Sequence, residues 1–319
     1  MMDLCDRIEA AAARIRPFVL ETPVEPSPEL GRRGGAEVLL KLENLQRTGS
    51  FKLRGAMNAL LSLPSAARAA GVVTASSGNH GAAVSWGLRA LGGRGLVFVP
   101  EDASPAKLQA IRDHGAEVRA EGHDSGLSEI AARRHAAANG LTYVSPYNDP
   151  VVIAGQGTVG LELARQAGDF DAVFVALGGG GLIGGIGGWL KGSGRKVTVV
   201  ACSPENSAVM HHSIAAGRVL EMESKPTLSD GTAGAVEPGA ITLDLCRQVV
   251  DERVLVSEDE IGAAMRLVIG RHHTLIEGAA GVAVAGYLKI ADRFRGRRVA
   301  IVLCGANIAL ERLRGALSD

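Results

Sequence analysis

No apolar run in this chain approaches the roughly 20 residues needed to span a bilayer. The opening Met1-Met2-Asp3-Leu4-Cys5-Asp6-Arg7 carries early acids and no apolar stretch, which argues against a secretory leader and for the cytoplasm. Net charge is lacking too. The 34 basic and 34 acidic side chains cancel, so neither nucleic acid nor a membrane surface is expected as a partner. Cysteine is scarce: Cys5, Cys202, Cys246 and Cys304 stand far apart with no CxxC pair, which fits reduced thiols better than a disulfide framework or a zinc site. His211-His212 and His272-His273 are adjacent residues, which diverge on a helix and make poor joint metal ligands. There is no GxSxG elbow and no Walker A lysine. Aromatics are only 3 % while glycine reaches 42 residues, a composition suited to tight turns and close backbone approaches.

What is present is alternation. Short apolar runs at 72–75, 95–99, 171–177, 196–201 and 298–303 read as parallel strands covered on both faces. Alanine-rich helical stretches at 80–91, 104–114, 125–139, 156–168, 257–270 and 279–290 lie between them. The fold class is therefore α/β, with open, parallel-rich sheets under helices. A length of 319 residues suits two lobes. The expected division is a small domain at 70–148 and a large domain made of 1–69 and 149–319. The stretch 221–242, rich in Gly, Pro and Ser, reads as a long irregular segment lining a site.

Three motifs carry chemistry. Lys52, in Gly49-Ser50-Phe51-Lys52-Leu53, stands between a strand at 38–43 and a helix at 53–63. Apolar neighbours disfavour its charged form and make its amine a usable nucleophile. Gly178-Gly179-Gly180-Gly181 follows a strand and opens a helix, so its N–H groups can converge on a phosphate. The dinucleotide alternative needs an acid at the tip of the next strand, where Ala201-Cys202-Ser203 stands instead. Ser76-Ser77-Gly78-Asn79-His80, also between strand and helix, suits a carboxylate. Cys304 closes the last strand, where ligands of open α/β sheets gather.

Taken in order, these motifs resemble the fold-type II enzymes that use pyridoxal 5'-phosphate, in the branch of serine/threonine dehydratases and serine racemases. The resemblance covers nearly the whole chain. It implies that Lys52 links covalently to the cofactor aldehyde and, once released, acts as the base on the substrate Cα–H. Phe51 packs beside the cofactor ring, Asn79 bonds its 3'-hydroxyl, and Gly178, Gly179, Gly180 and Gly181 donate to its phosphate. Cys304 partners the pyridine nitrogen, where many relatives have Ser, and Gly231 and Glu277 lie near the ring. Ser76, Ser77, Gly78, Asn79 and His80 receive the substrate carboxylate. Relatives with a divalent metal have carboxylates where this chain has Ser203 and Val209, so no metal is expected. Twelve residues follow Asn307, so no C-terminal regulatory domain is expected and the short, catabolic type is.

The activity so implied is an ammonia-lyase acting by α,β-elimination on L-threonine, L-serine or a related 3-hydroxy amino acid. A small-molecule amino-acid substrate and a homo-oligomer, dimer or tetramer, are the expected partners. Four alternatives are weighed: an amino-acid racemase, with Ser77 as the second proton carrier; a dehydratase for a bulkier 3-hydroxy amino acid or a hydroxyectoine-type derivative; a nicotinamide-dependent oxidoreductase; and a module that holds the cofactor without catalysis, which the intact Lys52 disfavours.

Overall fold

The computed structural model describes residues 2–318, apart from 102, 104 and 124. Among them, ten strands form two sheets. They are β1 (Val24–Pro26), β2 (Glu37–Lys41), β3 (Val72–Ala75), β4 (Gly95–Val99), β5 (Glu117–Ala120), β6 (Thr142–Tyr143), β7 (Ala172–Ala176), β8 (Thr198–Pro204), β9 (Glu252–Val256) and β10 (Arg298–Val302). The six-stranded sheet has the order β1-β2-β10-β7-β8-β9, and the four-stranded sheet β5-β4-β3-β6. Every pairing is parallel except that of β1 with β2. The α/β architecture with parallel-rich sheets is as the sequence leads one to expect.

Burial explains the strand composition. All five residues of β7 are buried, and β10 is buried from Val299 to Val302, because helices cover both faces. Strand β9 lies at an edge and exposes Arg253 between the less accessible Glu252 and Val254.

Helix starts differ from the sequence expectation in one informative place. The helix expected from 156 begins at Pro150, with Asp149 accepting N–H bonds from Val151 and Val152. An Asp-Pro pair is a helix-start signal, hidden here by the glycines that follow. Those glycines let helices touch backbone to backbone. A Cβ on Gly155 would lie 2.6 Å from Arg54 O, and one on Gly185 would lie 2.7 Å from Gly157 N and from Ile153 O. The helix Pro150–Ala167 is thereby seated against both Lys52–Ser62 and Gly181–Gly192. Residues 221–240 are irregular, and the helix Ile241–Val249 ends the segment.

Candidate active site

The carboxyl ends of β3, β7 and β10 open onto one cavity of about 810 Å³. Chain direction makes this inevitable. Parallel strands present all their outgoing loops at one end, and from β7 the chain passes to β8 while β10 lies on its other side. Lys52, the Ser76–His80 loop, the four glycines, Gly231, Glu277 and Cys304 all line the cavity.

Lys52 is the first residue of its helix, and Nζ donates to Pro146 O at 2.8 Å. The amine lies 5.4 Å from the centre of the Phe51 ring. The Phe51 N–H donates to Cys304 O at 3.0 Å and the Ala306 N–H to Gly49 O at 2.8 Å, so the lysine turn is laced to the end of β10. The cavity leaves the stem of Lys52 partly accessible, yet burial of the amine lowers its pKa from 10.5 to about 8, against the opposing pull of Cys304, Glu277 and Glu129. Burial, then the charge of Glu277, pushes the Cys304 thiol well above its usual 9.0. A thiol held protonated exerts little attraction on an ammonium, so the carboxylates are the partners that matter at neutral pH.

Two residues on, Arg54 is wholly buried. Its guanidinium donates to both oxygens of Glu43 and to both oxygens of Glu162, all at 2.7–2.8 Å. Lys41 also donates to Glu162, at 2.8 Å. These ion pairs fix the helix that Lys52 begins.

The glycine loop is bare because both main chain and side chains are packed against it. A Cβ on Gly178 would meet Thr232 Cα at 2.9 Å, one on Gly179 the Tyr147 ring at 2.5 Å, and one on Gly180 Cys246 Sγ at 2.8 Å. Gly180 also has φ +89°, a left-handed conformation that only glycine adopts freely. The Gly184 N–H returns to Gly180 O, which leaves the N–H groups of Gly181, Leu182 and Ile183 without intrahelical partners. No acidic residue stands in this cradle, and a phosphate fits it.

Opposite, Asn79 Nδ2 donates to Glu277 Oε1 at 2.9 Å and Oε2 at 3.0 Å. The two oxygens subtend a narrow angle at the nitrogen, so one N–H serves both and the other stays available to a ligand. Asn79 Oδ1 accepts from Asn307 Nδ2 at 2.6 Å. A Cβ on Gly231 would sit 3.4 Å from Glu277 Oε1 and 4.0 Å from Asn79 Nδ2, so these residues share one wall.

His80 is brought to the cavity, but its ring cannot serve a carboxylate. Nε2 faces Val144 O at 3.2 Å and must carry the proton, Nδ1 is a bare acceptor without a partner, and burial, then the Lys52 charge, lowers the pKa to about 3. What His80 offers an anion is its backbone N–H in the first turn of the helix Asn79–Leu91. Ser76 Oγ is occupied by the Gly78 N–H at 3.2 Å, while Ser77 lines the cavity.

Tyr147, Gln156 and Glu129 are among the lining residues that the sequence does not announce. Tyr147 packs under Gly179 and Gly181, and its hydroxyl accepts the Glu237 N–H at 2.8 Å. Gln156 and Glu129 also line the cavity, Glu129 from the helix Ser125–Ala138 that packs on the smaller sheet. Glu129 is held by Arg133 at 2.8 Å and by the Tyr143 hydroxyl at 3.0 Å. The same Arg133 nitrogen reaches Glu237 at 2.7 Å. Sequence signals for these were thin: a Ser-Pro-Tyr turn for Tyr147, and a polar residue in an apolar helix for Gln156.

A lysine amine and a bare glycine cradle lining one cavity, where parallel strands end, suit an enzyme that holds a phosphorylated aldehyde. Comparison with known proteins agrees. The family described as pyridoxal-phosphate dependent enzyme matches residues 15–305. The chain belongs to that family, and its cofactor is pyridoxal 5'-phosphate. An L-threonine ammonia-lyase of Thermotoga maritima is 40% identical over 301 residues, 94% of this chain and 75% of that protein. The processed form of threonine deaminase isoform 2 from Solanum lycopersicum superposes with a TM-score of 0.93 at 31% identity, over 99% of this chain and 92% of that one. Serine racemase from Dictyostelium discoideum gives 0.87 at 35%, over 96% and 99%. No described helix is long and apolar enough to cross a membrane.

Proposed function

We propose that this protein is an ammonia-lyase that converts L-threonine, L-serine or a related 3-hydroxy amino acid to a 2-oxo acid and ammonia. The observation that carries it is the placement of the Lys52 amine beside the bare glycine cradle and the helix start at Asn79, in a chain whose relatives are named for threonine deamination. Pyridoxal phosphate, when bound, supplies the electron sink that makes the substrate Cα–H acidic. Residues Gly178–Gly181 would hold its phosphate, Cys304 its ring nitrogen and Asn79 its 3'-hydroxyl.

The protein's own part is to bind, orient and move one proton. First-turn N–H groups of the Asn79–Leu91 helix, with the Ser77 hydroxyl, receive the substrate carboxylate. That fixes which Cα bond faces Lys52. With a pKa near 8, Nζ is available as a base at neutral pH and accepts Hα. Loss of the β-hydroxyl as water releases an enamine, and its hydrolysis gives the 2-oxo acid and ammonia. In this scheme 1–69 with 149–319 forms the large domain, and 70–148 forms the small one.

Lys52→Ala tests the scheme. Turnover of L-threonine and L-serine, followed as 2-oxo acid, should vanish, as should the visible absorbance of the lysine-bound cofactor. Retention of both refutes it. A racemase role has one observation in its favour, the place of Ser77 in the lining of the same cavity as Lys52. Formation of D-amino acid that disappears in Ser77→Ala would establish it.

A further inference from the structure

Gln156 is fully buried, yet it lines the cavity and its Nε2 has no hydrogen-bond partner. A buried carboxamide with an idle donor is costly, and such groups in native proteins point to a ligand or water. The orientation of this amide is fixed. Its Oε1 accepts the Gly55 N–H at 3.2 Å, an assignment that turning the amide over would destroy. Gly55 lies in the first turn of the helix that Lys52 begins, which has no side-chain cap from Phe51. Gly55 also makes room: a Cβ there would lie 2.4 Å from Gln156 Nε2.

Gln156 lines the same cavity as Lys52 and Gly178–Gly181, on a helix that touches the helices that follow both. On one side is the turn bearing Lys52. On the other, the next residue, Gly157, touches Gly185, one turn into the helix that opens on Gly181. No acidic side chain belongs to either neighbouring turn.

We infer that Gln156 is a cofactor-site residue whose carboxamide donates to a phosphate oxygen held in the Gly178–Gly181 cradle, while its oxygen caps the lysine helix. This rests on the proposed role of the glycine loop. The ligand chemistry is a phosphate oxyanion, whether carried on pyridoxal phosphate or free in solution.

Gln156→Glu separates the two functions, because it keeps the shape and an acceptor for Gly55 but replaces the donor with negative charge. Dissociation constants are measured on cofactor-stripped protein for pyridoxal phosphate, for pyridoxal without phosphate, and for inorganic phosphate by competition. Expected for Gln156→Glu is about 10- to 100-fold weaker binding of both phosphate-bearing probes, the worth of one charge-assisted hydrogen bond, with pyridoxal unchanged. Equal affinity for pyridoxal phosphate in wild type and variant overturns the inference, as does an equal loss for pyridoxal. Wild type that binds pyridoxal as tightly as its phosphate overturns the cradle itself. Gln156→Met, uncharged, is the second variant, with the same selectivity expected at about 10-fold.

Discussion

The titration of Lys52 is the sharpest quantity that the structure yields. Lowering an amine from 10.5 to about 8 is worth ~3 kcal/mol in favour of its neutral form. At pH 7 the neutral fraction rises from about 0.03 % to about 10 %, roughly 300-fold. The cause is burial, and the carboxylates of Glu277 and Glu129 oppose it. Two measurable consequences follow from those signs. In cofactor-free protein, pulsed acylation of Lys52, read by peptide mass spectrometry against exposed Lys196, should switch on with a midpoint near pH 8. Glu277→Gln, which removes an attraction for the ammonium, should move that midpoint lower still. A wild-type midpoint at 10 or above refutes the desolvation account. An upward movement in Glu277→Gln refutes the assignment of the opposing charge.

Other perturbations probe the supports of the site. Gly179→Ala puts a methyl group against the Tyr147 ring, where 2.5 Å is available, and should weaken cofactor binding about 10- to 100-fold. Tyr147→Ala in the same chain should restore part of the loss, as equilibrium dialysis would show. Arg54→Ala leaves Glu43 and Glu162 buried without their partner and should cost ~3–5 kcal/mol in urea unfolding. Lysine at 54 should rescue little, because one ammonium cannot replace a fork that serves four oxygens. Arg133→Ala sets Glu129 against Glu237, whose pKa burial and Glu129 already raise. The KM for substrate should rise about 5- to 30-fold near pH 8, by ~1–2 kcal/mol, and recover as the pH falls and Glu237 takes up a proton.

How far the sequence can be read differs by residue, for physical reasons. Strands such as Val72–Ala75 and Gly95–Val99 are legible because burial on both faces leaves an unbroken apolar run between turn residues. Lys52 and the glycine tetrad are legible because their local sequence alone restricts what they can do. His80 shows the limit: its residue type suggests a ring that binds anions, but the ring N–H donates to the carbonyl of Val144, far away in sequence. Gln156 and Glu129 are defined wholly by what tertiary packing sets beside them. The Pro150 start lay in plain view but was masked by glycines that, elsewhere, would break a helix.

Those glycines divide the labour of change within the molecule. The helix Pro150–Ala167 meets its neighbours where main chains touch, at Gly155, Gly157 and Gly185, so any side chain added there must displace a whole helix. The rim near Glu129 is made of side chains on a separate sheet's helices, and these can be exchanged one at a time. New specificities can therefore be grown on the rim, while the apparatus that keeps the vitamin stays untouched beneath it.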